Sequence, residues 1–283
     1  MTMGSVILAV ACGFVGAAVS RRAAMYIAAG AGPTRANYRG IALPSAAGFA
    51  VVLGFLAGAA LPAVIRAFTQ ASASITTTAG ISVSCVAGVL GFALLGLWDD
   101  LAGSAGERGW RAHARALGRG RPSSGAIKLG GGIALALLVA APMGRGTLWT
   151  LVDAAVVAMA ANLWNLFDLR PGRACKIFVV AAIPLMVVAG TATPLLAAGL
   201  GAVVAFLPFD LRERTMLGDV GANALGALVG WVTVLSGSPT ARVSALSALA
   251  LMHLVADRPG LSRIISAVPP LRAFDLTGRV REP

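Results

Sequence analysis

Residues 81–100, ISVSCVAGVLGFALLGLWDD, form an apolar run that ends in two adjacent aspartates. Such a run is typical of a membrane-spanning helix, because about 20 apolar residues cross the hydrocarbon core. Carboxylates are costly beside hydrocarbon, so Asp99 and Asp100 indicate a functional site at the membrane border. A simple capping role is disfavoured, since the helix macrodipole already makes a C-terminus negative.

The composition extends this interpretation to the whole chain. Of the residues, 58% are hydrophobic and 12% are charged, and the mean hydropathy is +0.84. A soluble domain has about 25% charged residues, so we predict an all-α, polytopic integral membrane helix bundle. It comprises about nine to ten transmembrane helices in a single domain over residues 1–283. The predicted spans are 4–20, 46–65, 79–98, 128–143, 149–167, 177–190, 192–209, 220–235 and 243–256.

The basic residues are distributed unequally between the two sides of these spans. The connections on one side are 21–45, 99–127, 168–176, 210–219 and 257–283. With Lys128 at their border they hold 20 of the 23 basic residues. The positive-inside rule assigns this side to the cytoplasm and the N-terminus to the outside. Anionic lipids and this rule explain the net charge of +12, so no nucleic-acid partner is predicted.

The longest polar connection, 99–127, is a basic cytoplasmic loop. Its Arg108, Arg111, Arg115 and Arg119 recur at the spacing of one helix face. Two interpretations remain open, a short amphipathic helix on the inner leaflet or a solvated basic loop that only fixes topology.

A second polar motif, NLWNLFDLRPGR, occupies residues 162–173. Asn162 and Asn165 are three residues apart, hence on one helix face, and Asp168 extends the same stripe to the border. These side chains could hold a carboxylate, a metal-bound water or a uracil-like edge. The alternative for the asparagine pair is helix–helix contact.

Basic residues follow this motif at three-residue spacing, namely Arg170, Arg173 and Lys176. Guanidinium groups suit phosphate oxygens, so we predict that this run binds the phosphates of a substrate. The alternative is positive-inside charge without a ligand.

A third motif, MLGDVGANALG, occupies residues 216–226 at the start of a predicted span. Gly218 and Gly221 would let backbone amides approach a ligand, and a helix N-terminus favours phosphate. Asp219 is either an ordinary helix cap or a metal ligand. Alternating spans place all of these acids on one side, which suggests a divalent cation and a phosphorylated ligand.

The ordered motifs resemble those of the polyprenyl-phosphate N-acetylhexosamine-1-phosphate transferase family. That family has an Asp-Asp pair, an Asn-x-x-Asn-x-x-Asp loop and a Gly-Asp-x-Gly-(Ser/Ala) segment in this order, and 37–40 resembles its first cytoplasmic loop. The resemblance implies transfer of a sugar-1-phosphate from a UDP-sugar to a polyprenyl phosphate, with release of UMP, by a magnesium-dependent enzyme of the cytoplasmic membrane. Mn²⁺ is an alternative to Mg²⁺. Membrane lipids are further predicted partners, and the resemblance is compatible with a homodimer.

The resemblance and the residue patterns described above together predict roles for individual residues; the basic run Arg170, Arg173 and Lys176 is assigned from its chemistry and not from the family pattern. The catalytic set is Asp99, Asp100 and Asp168, and the metal ligands are Asp219 and Asp168. The substrate-binding set is Asn162, Asn165, Arg170, Arg173, Lys176, Arg39, Lys128 and Gly221.

Two departures from the family pattern keep other functions open. Pro171 stands where family members commonly have a second acid, and the family's His-rich segment near the C-terminal end is missing. A catalytically silent homologue that acts as a membrane partner is therefore one alternative. A secondary transporter is another, although it predicts acids deep within the spans and only Asp153 lies off the cytoplasmic side.

Overall fold

A computed structural model describes residues 3–30, 34–69, 76–102, 124–257 and 260–280, and these are almost entirely helical. The helices are α1 (Met3–Gly30), α2 (Phe49–Thr69), α3 (Thr76–Ala102), α4 (Ser124–Ala140), α5 (Thr147–Phe167), α6 (Arg173–Val188), α7 (Thr193–Leu211), α8 (Gly218–Ser236), α9 (Pro239–Asp257), α10 (Leu261–Ala267) and α11 (Pro269–Leu276). Short 3₁₀ turns at Ala141–Met143 and Gly190–Ala192 precede α5 and α7. Strands β1 (Thr34–Ala36) and β2 (Ala42–Pro44) form an antiparallel hairpin between α1 and α2.

Each of the nine predicted spans coincides with a helix, which confirms the all-α membrane bundle. Among the described residues, seven helices are long and apolar enough to cross a membrane. They are Met3–Ala23, Val83–Ala102, Gly125–Met143, Thr147–Phe167, Gly190–Leu211, Gly218–Ser236 and Pro239–Ala256. Phe49–Ile65 is apolar but shorter, and α6 has 16 residues.

Helix α8 lies at the centre of the bundle, and most of its residues are buried. Helices α3 and α5 pack along it, while α1 packs against α2 and α7. Small residues let the backbones approach closely. A Cβ added at Gly201 would lie 2.1 Å from the carbonyl oxygen of Val10, and one at Gly13 would lie 2.3 Å from that of Ala198. These contacts explain the high glycine content, because membrane helices associate through small faces.

Several elements depart from the predicted boundaries. Helix α1 continues past residue 20, where the Arg21 guanidinium donates to the Ala205 carbonyl at 3.3 Å and lies over the Phe209 ring at 3.5 Å. Helix α3 continues through both aspartates to Ala102. The β-hairpin, α10 and α11 were not predicted. The predicted amphipathic helix falls within 103–123, outside the described residues.

Candidate active site

Asp100 links the end of α3 to the start of α8. Its carboxylate is buried, and Oδ2 accepts a hydrogen bond from the Val220 amide at 3.1 Å. Gly96 makes this approach feasible, because a Cβ there would lie 2.2 Å from the Asp219 carbonyl oxygen. Asp100 thus satisfies an N-terminal amide of α8, one of the donors that lack a partner within the helix. We call the side of the bundle that contains Asp100 and the start of α8 the site side.

Asp219 faces two cations and an amide. Its Oδ2 accepts a hydrogen bond from the ammonium group of Lys128 and another from the Asn165 side-chain amide at 3.4 Å. Its Oδ1 lies 3.6 Å from the Arg35 guanidinium. The N-cap position of α8 is Leu217, which makes no side-chain capping hydrogen bond, and Asp219 lies within the first turn, so Asp219 is not the ordinary N-cap that the sequence left open.

Lys128 and Arg35 connect Asp219 to the aspartate pair. Lys128 Nζ lies 3.5 Å from Asp99 Oδ2. Arg35 donates to the Asp99 carbonyl at 3.1 Å and lies 3.6 Å from Asp100 Oδ1. We call Asp99, Asp100, Asp219, Lys128 and Arg35 the charge cluster. It joins α3, α4, α8 and the β-hairpin, and three carboxylates outnumber the two cations.

Arg35 is a site residue that the sequence analysis missed. It was counted only as a topology charge, although it lies two residues before the loop that resembles the family's first motif. In the hairpin Arg35 pairs with Leu43, which is buried. The hairpin thereby holds the Arg35 side chain toward the aspartates.

Asp168 follows α5 and lies beside further carboxylates. Burial raises the pKa of Asp168 well above its usual range, and neighbouring Asp210, Asp219 and Asp100 raise it further. A hydrogen bond from the Gly218 amide acts in the opposite direction. Crowded carboxylates are stable only if one is protonated or a cation compensates them. The predicted gathering of Asp99, Asp100, Asp168 and Asp219 on one side is therefore observed.

Asp210 is a second residue that the sequence analysis missed. It is buried near the end of α7, and its Oδ2 accepts a hydrogen bond from the Gly172 amide at 3.0 Å. Gly172 has a φ of +70°, which favours glycine. An acid near the end of an apolar run was the available signal, the same one that identified Asp99.

A small cleft of about 20 Å³ opens beside Asp168. Its lining residues are Asn37, Tyr38, Leu43, Asp168, Leu169, Arg170, Pro171, Asp210, Glu213, Thr215 and Met216. The Arg170 guanidinium lies over the Tyr38 ring at 4.2 Å. A flat aromatic–guanidinium pair beside carboxylates suits a ligand with a planar ring and phosphates.

Glu213 organises the rim of this cleft. Its carboxylate accepts hydrogen bonds from Asn37 at 2.9 Å and from the Tyr38 hydroxyl at 3.2 Å, and it pairs with Arg39 at 3.3 Å. Its φ of +52° is rare for a residue with a side chain. The structure therefore directs Arg39 at Glu213, and its predicted substrate contact stays a prediction.

The two asparagines of the second motif have different neighbours. Asn165 reaches Asp219, whereas the Asn162 amide lies 3.0 Å from His253 Nε2 on α9. Residues three apart on a helix differ by about 60° in direction, enough to face different helices. Only Asn165 joins the charge cluster.

Two of the three predicted phosphate-binding cations contact the C-terminal segment. Arg173 forms a bidentate pair with Asp275 at 2.8 and 3.0 Å. Lys176 Nζ donates to the carbonyls of Phe274 and Asp275 at 2.8 and 2.7 Å. Arg170 alone of the three lines the cleft.

Gly221 serves helix packing. A Cβ there would meet the Leu217 side chain at 2.4 Å and the Gly48 Cα at 3.1 Å. The structure thus gives Gly221 a close contact within the protein at the position where a ligand was predicted.

Asp153, the acid off the site side, is paired twice. Arg145 lies 2.9 Å from its Oδ2, and Arg242 lies 3.1 Å from its Oδ1. A carboxylate held by two guanidinium groups is a poor proton or sodium carrier, so the structure lends the transporter alternative no support.

The fold and the site define a multi-pass membrane protein with a carboxylate-rich site at one border of its bundle. The family model for glycosyl transferase family 4 matches residues 82–237, and the chain belongs to this family. The match supports transfer of a sugar phosphate to a lipid carrier. The matched range includes Asp99, Lys128, Asp168 and Asp219. No curated protein matches the chain.

Proposed function

We propose that the protein moves a sugar-1-phosphate from a UDP-sugar to a polyprenyl phosphate at the cytoplasmic face of the cell membrane. An oxygen of the lipid phosphate forms a bond to the donor's β-phosphorus, and the bond from that phosphorus to the bridging oxygen breaks. UMP leaves with the bridging oxygen, and the lipid keeps a pyrophosphate-linked sugar. A strong base is unnecessary, because a phosphate monoester with a second pKa of about 6 is largely dianionic near neutral pH.

The charge cluster is the observation that carries this proposal. Phosphoryl transfer needs chiefly positioning and compensation of charge on phosphate oxygens. Lys128 and Arg35 supply cations where the spans end, and Asp99 holds Lys128 in position. Asp100 orients the N-terminus of α8 through the Val220 amide. The Arg170–Tyr38 pair in the adjacent cleft would receive the donor.

The donor atoms present fit a hard cation, Mg²⁺ or Mn²⁺. Asp100 Oδ1 and Asn165 Oδ1 are buried without a hydrogen-bond partner. Within the described ranges no three His, Cys, Asp or Glu side chains form a metal site by themselves. Mg²⁺ commonly takes one or two carboxylates together with substrate phosphates, so a sparse set is sufficient. Asp219 and Asp168 would hold the ion, which when bound neutralises charge on the phosphoryl oxygens.

The test is transfer of radiolabel from a panel of UDP-sugars into a lipid extract by the purified protein in nanodiscs containing polyprenyl phosphate. Asp219→Asn keeps the shape of the side chain and removes its charge. We expect transfer to fall about 100-fold or more, the loss typical when one group that stabilises transition-state charge is removed.

Asp153→Asn is the matched control, because it also neutralises a carboxylate that is paired with two cations but lies off the site side. It should lower thermal stability and leave transfer by the folded protein close to wild type. Near-normal transfer by a folded Asp219→Asn variant at saturating Mg²⁺ would contradict the proposed role of Asp219.

A catalytically silent homologue is the second candidate, and one observation favours it. Lys128 and Arg35 already compensate Asp219, so the site is internally neutralised in part. This candidate predicts a folded protein that binds polyprenyl phosphate and transfers no label from any UDP-sugar.

A further inference from the structure

The C-terminal segment 260–280 is fixed to the site side of the bundle by ion pairs. Asp275 on α11 is buried and accepts the bidentate contact from Arg173, the first residue of α6. Arg279 contacts the same carboxylate at 2.5 Å and donates to the Pro171 carbonyl at 3.1 Å. The segment therefore lies at the level where α6 begins.

Main-chain contacts fix the end of the segment at the same level. The Val280 amide donates to the carbonyl of Leu211, the last residue of α7, at 3.4 Å. The Val280 carbonyl accepts a hydrogen bond from Arg39 at 3.3 Å. Because α6 and α7 both have an end here, the segment lies along the border of the bundle.

The backbone groups at the two ends of α11 need few hydrogen bonds from water. Pro269 and Pro270 have no N–H group, so two of the four donors that a helix start leaves unpaired are absent. At the other end, the Lys176 ammonium group donates to the carbonyls of Phe274, Asp275 and Thr277 at 2.8, 2.7 and 3.2 Å. A helix whose terminal groups are satisfied within the protein tolerates a half-dry environment.

A partly exposed apolar stripe begins at Val268, just before α11, and continues along the helix. Val268, Leu271 and Phe274 recur every three residues and are exposed by 37%, 44% and 38%. Arg263 on α10 and Arg272 on α11 are also exposed. An amphipathic helix with apolar residues on one face and arginines nearby is typical of helices that lie in the plane of a membrane interface.

We propose that Val268, Leu271 and Phe274 insert into the boundary between headgroups and acyl chains in the leaflet on the site side. Arg263 and Arg272 contact anionic phospholipid headgroups. The segment then lies in the membrane interface and connects the lipid surface to the loop after Asp168 through Arg173 and Lys176. This proposal does not depend on the proposed transfer reaction.

Electron paramagnetic resonance of the full chain in nanodiscs of zwitterionic and anionic phospholipid tests this arrangement. A spin label is attached in turn to Leu271→Cys, Phe274→Cys and the matched control Ala273→Cys, an exposed position on the helix face opposite Leu271. Cys12 is replaced by Ala, whereas Cys85 and Cys175 are buried and should not react. Collisions with oxygen, which partitions into lipid, are compared with collisions with a water-soluble nickel chelate.

Labels at 271 and 274 should collide more with oxygen than with the nickel chelate, and the label at 273 should show the reverse. Preference for the nickel chelate at all three positions would place α11 in water and overturn the proposal. Protection from both reagents at 271 and 274 would mean that protein, such as a second copy, covers the stripe, and would also overturn it.

Nanodiscs without anionic phospholipid test the headgroup contact separately. The label at 271 should become at least twofold more accessible to the nickel chelate when the anionic lipid is absent. Arg263→Gln combined with Arg272→Gln should produce the same change in anionic nanodiscs. Unchanged accessibility in both experiments would overturn the contact with anionic headgroups.

Discussion

The ammonium group of Lys128 contacts the carboxylate of Asp219, and the same nitrogen lies 3.5 Å from Asp99 Oδ2. The side chains of Lys128 and Asp219 are exposed by only 17% and 19%. Water screens such a pair weakly, so the attraction between the two charges contributes strongly to the free energy of unfolding. The pair joins α4 to α8 at the point where we propose that phosphate oxygens bind.

A double-mutant cycle measures this relationship. Lys128→Gln alone leaves Asp219 and Asp99 with less positive charge nearby, and we expect it to lower the free energy of unfolding. Lys128→Gln combined with Asp219→Asn should recover part of the loss, with a coupling of about 0.5–3 kcal/mol. Chemical denaturation in detergent gives the values, and strictly additive effects would show that the contact contributes nothing.

The arginines after Asp168 should separate into two roles. Arg170→Lys keeps the charge but removes the planar group that lies over Tyr38, so we expect binding of the UDP-sugar to weaken about tenfold, or 1.4 kcal/mol. Arg173→Lys should leave donor affinity unchanged and lower stability, because it loses the bidentate contact with Asp275. Titration calorimetry and thermal unfolding compare the two variants.

Equal losses of donor affinity in both variants would contradict this division. They would instead support the original prediction from sequence that the whole basic run binds phosphates.

The gathering of carboxylates was predictable because two independent patterns agreed. The acids lie at the ends of apolar runs, and the basic residues assign those ends to one side. These two patterns alone predict that Asp99, Asp168 and Asp219 lie on the same side. The position of Arg35 in the site could not be predicted, because strands of three residues leave no periodic pattern in the sequence.

The partners of Arg173 and Lys176 could not be predicted for a different reason. Asp275 lies 102 residues beyond Arg173, and no local pattern encodes a contact over that separation. The spacing of the cations fitted phosphate binding equally well. Positive charge in a short connection identifies the side of the membrane but not what the charge contacts.

The attachment of the C-terminal segment should depend on pH through Asp275. Burial raises the pKa of this carboxyl, but the hydrogen bond and charge of Arg173, with Arg279, hold the pKa below its usual range. A group with a lowered pKa in the folded state stabilises that state above its unfolded pKa, about 3.9 for Asp, and this contribution disappears as the pH falls through the folded pKa. The segment should therefore remain attached at neutral pH and loosen below about pH 4.

Limited digestion with pepsin and hydrogen exchange of residues 260–280 between pH 3 and pH 6 measure the detachment. Asp275→Asn, which cannot ionise, should show exposed segments throughout this range. An identical pH dependence in wild type and variant would show that Asp275 does not control the attachment.

The orientation of the bundle is tested through the basic loop. The positive-inside rule predicts that 103–123 lies in the cytoplasm, so a single cysteine at Ser104 should resist an impermeant thiol reagent in intact cells and react after permeabilisation. Ser238→Cys is the matched control, because this exposed residue lies between α8 and α9 at the end of α8 opposite Asp219. It should react without permeabilisation. The reverse pattern would place the charge cluster outside the cell, where cytoplasmic UDP-sugars do not reach it, and would remove the basis for the proposed donor.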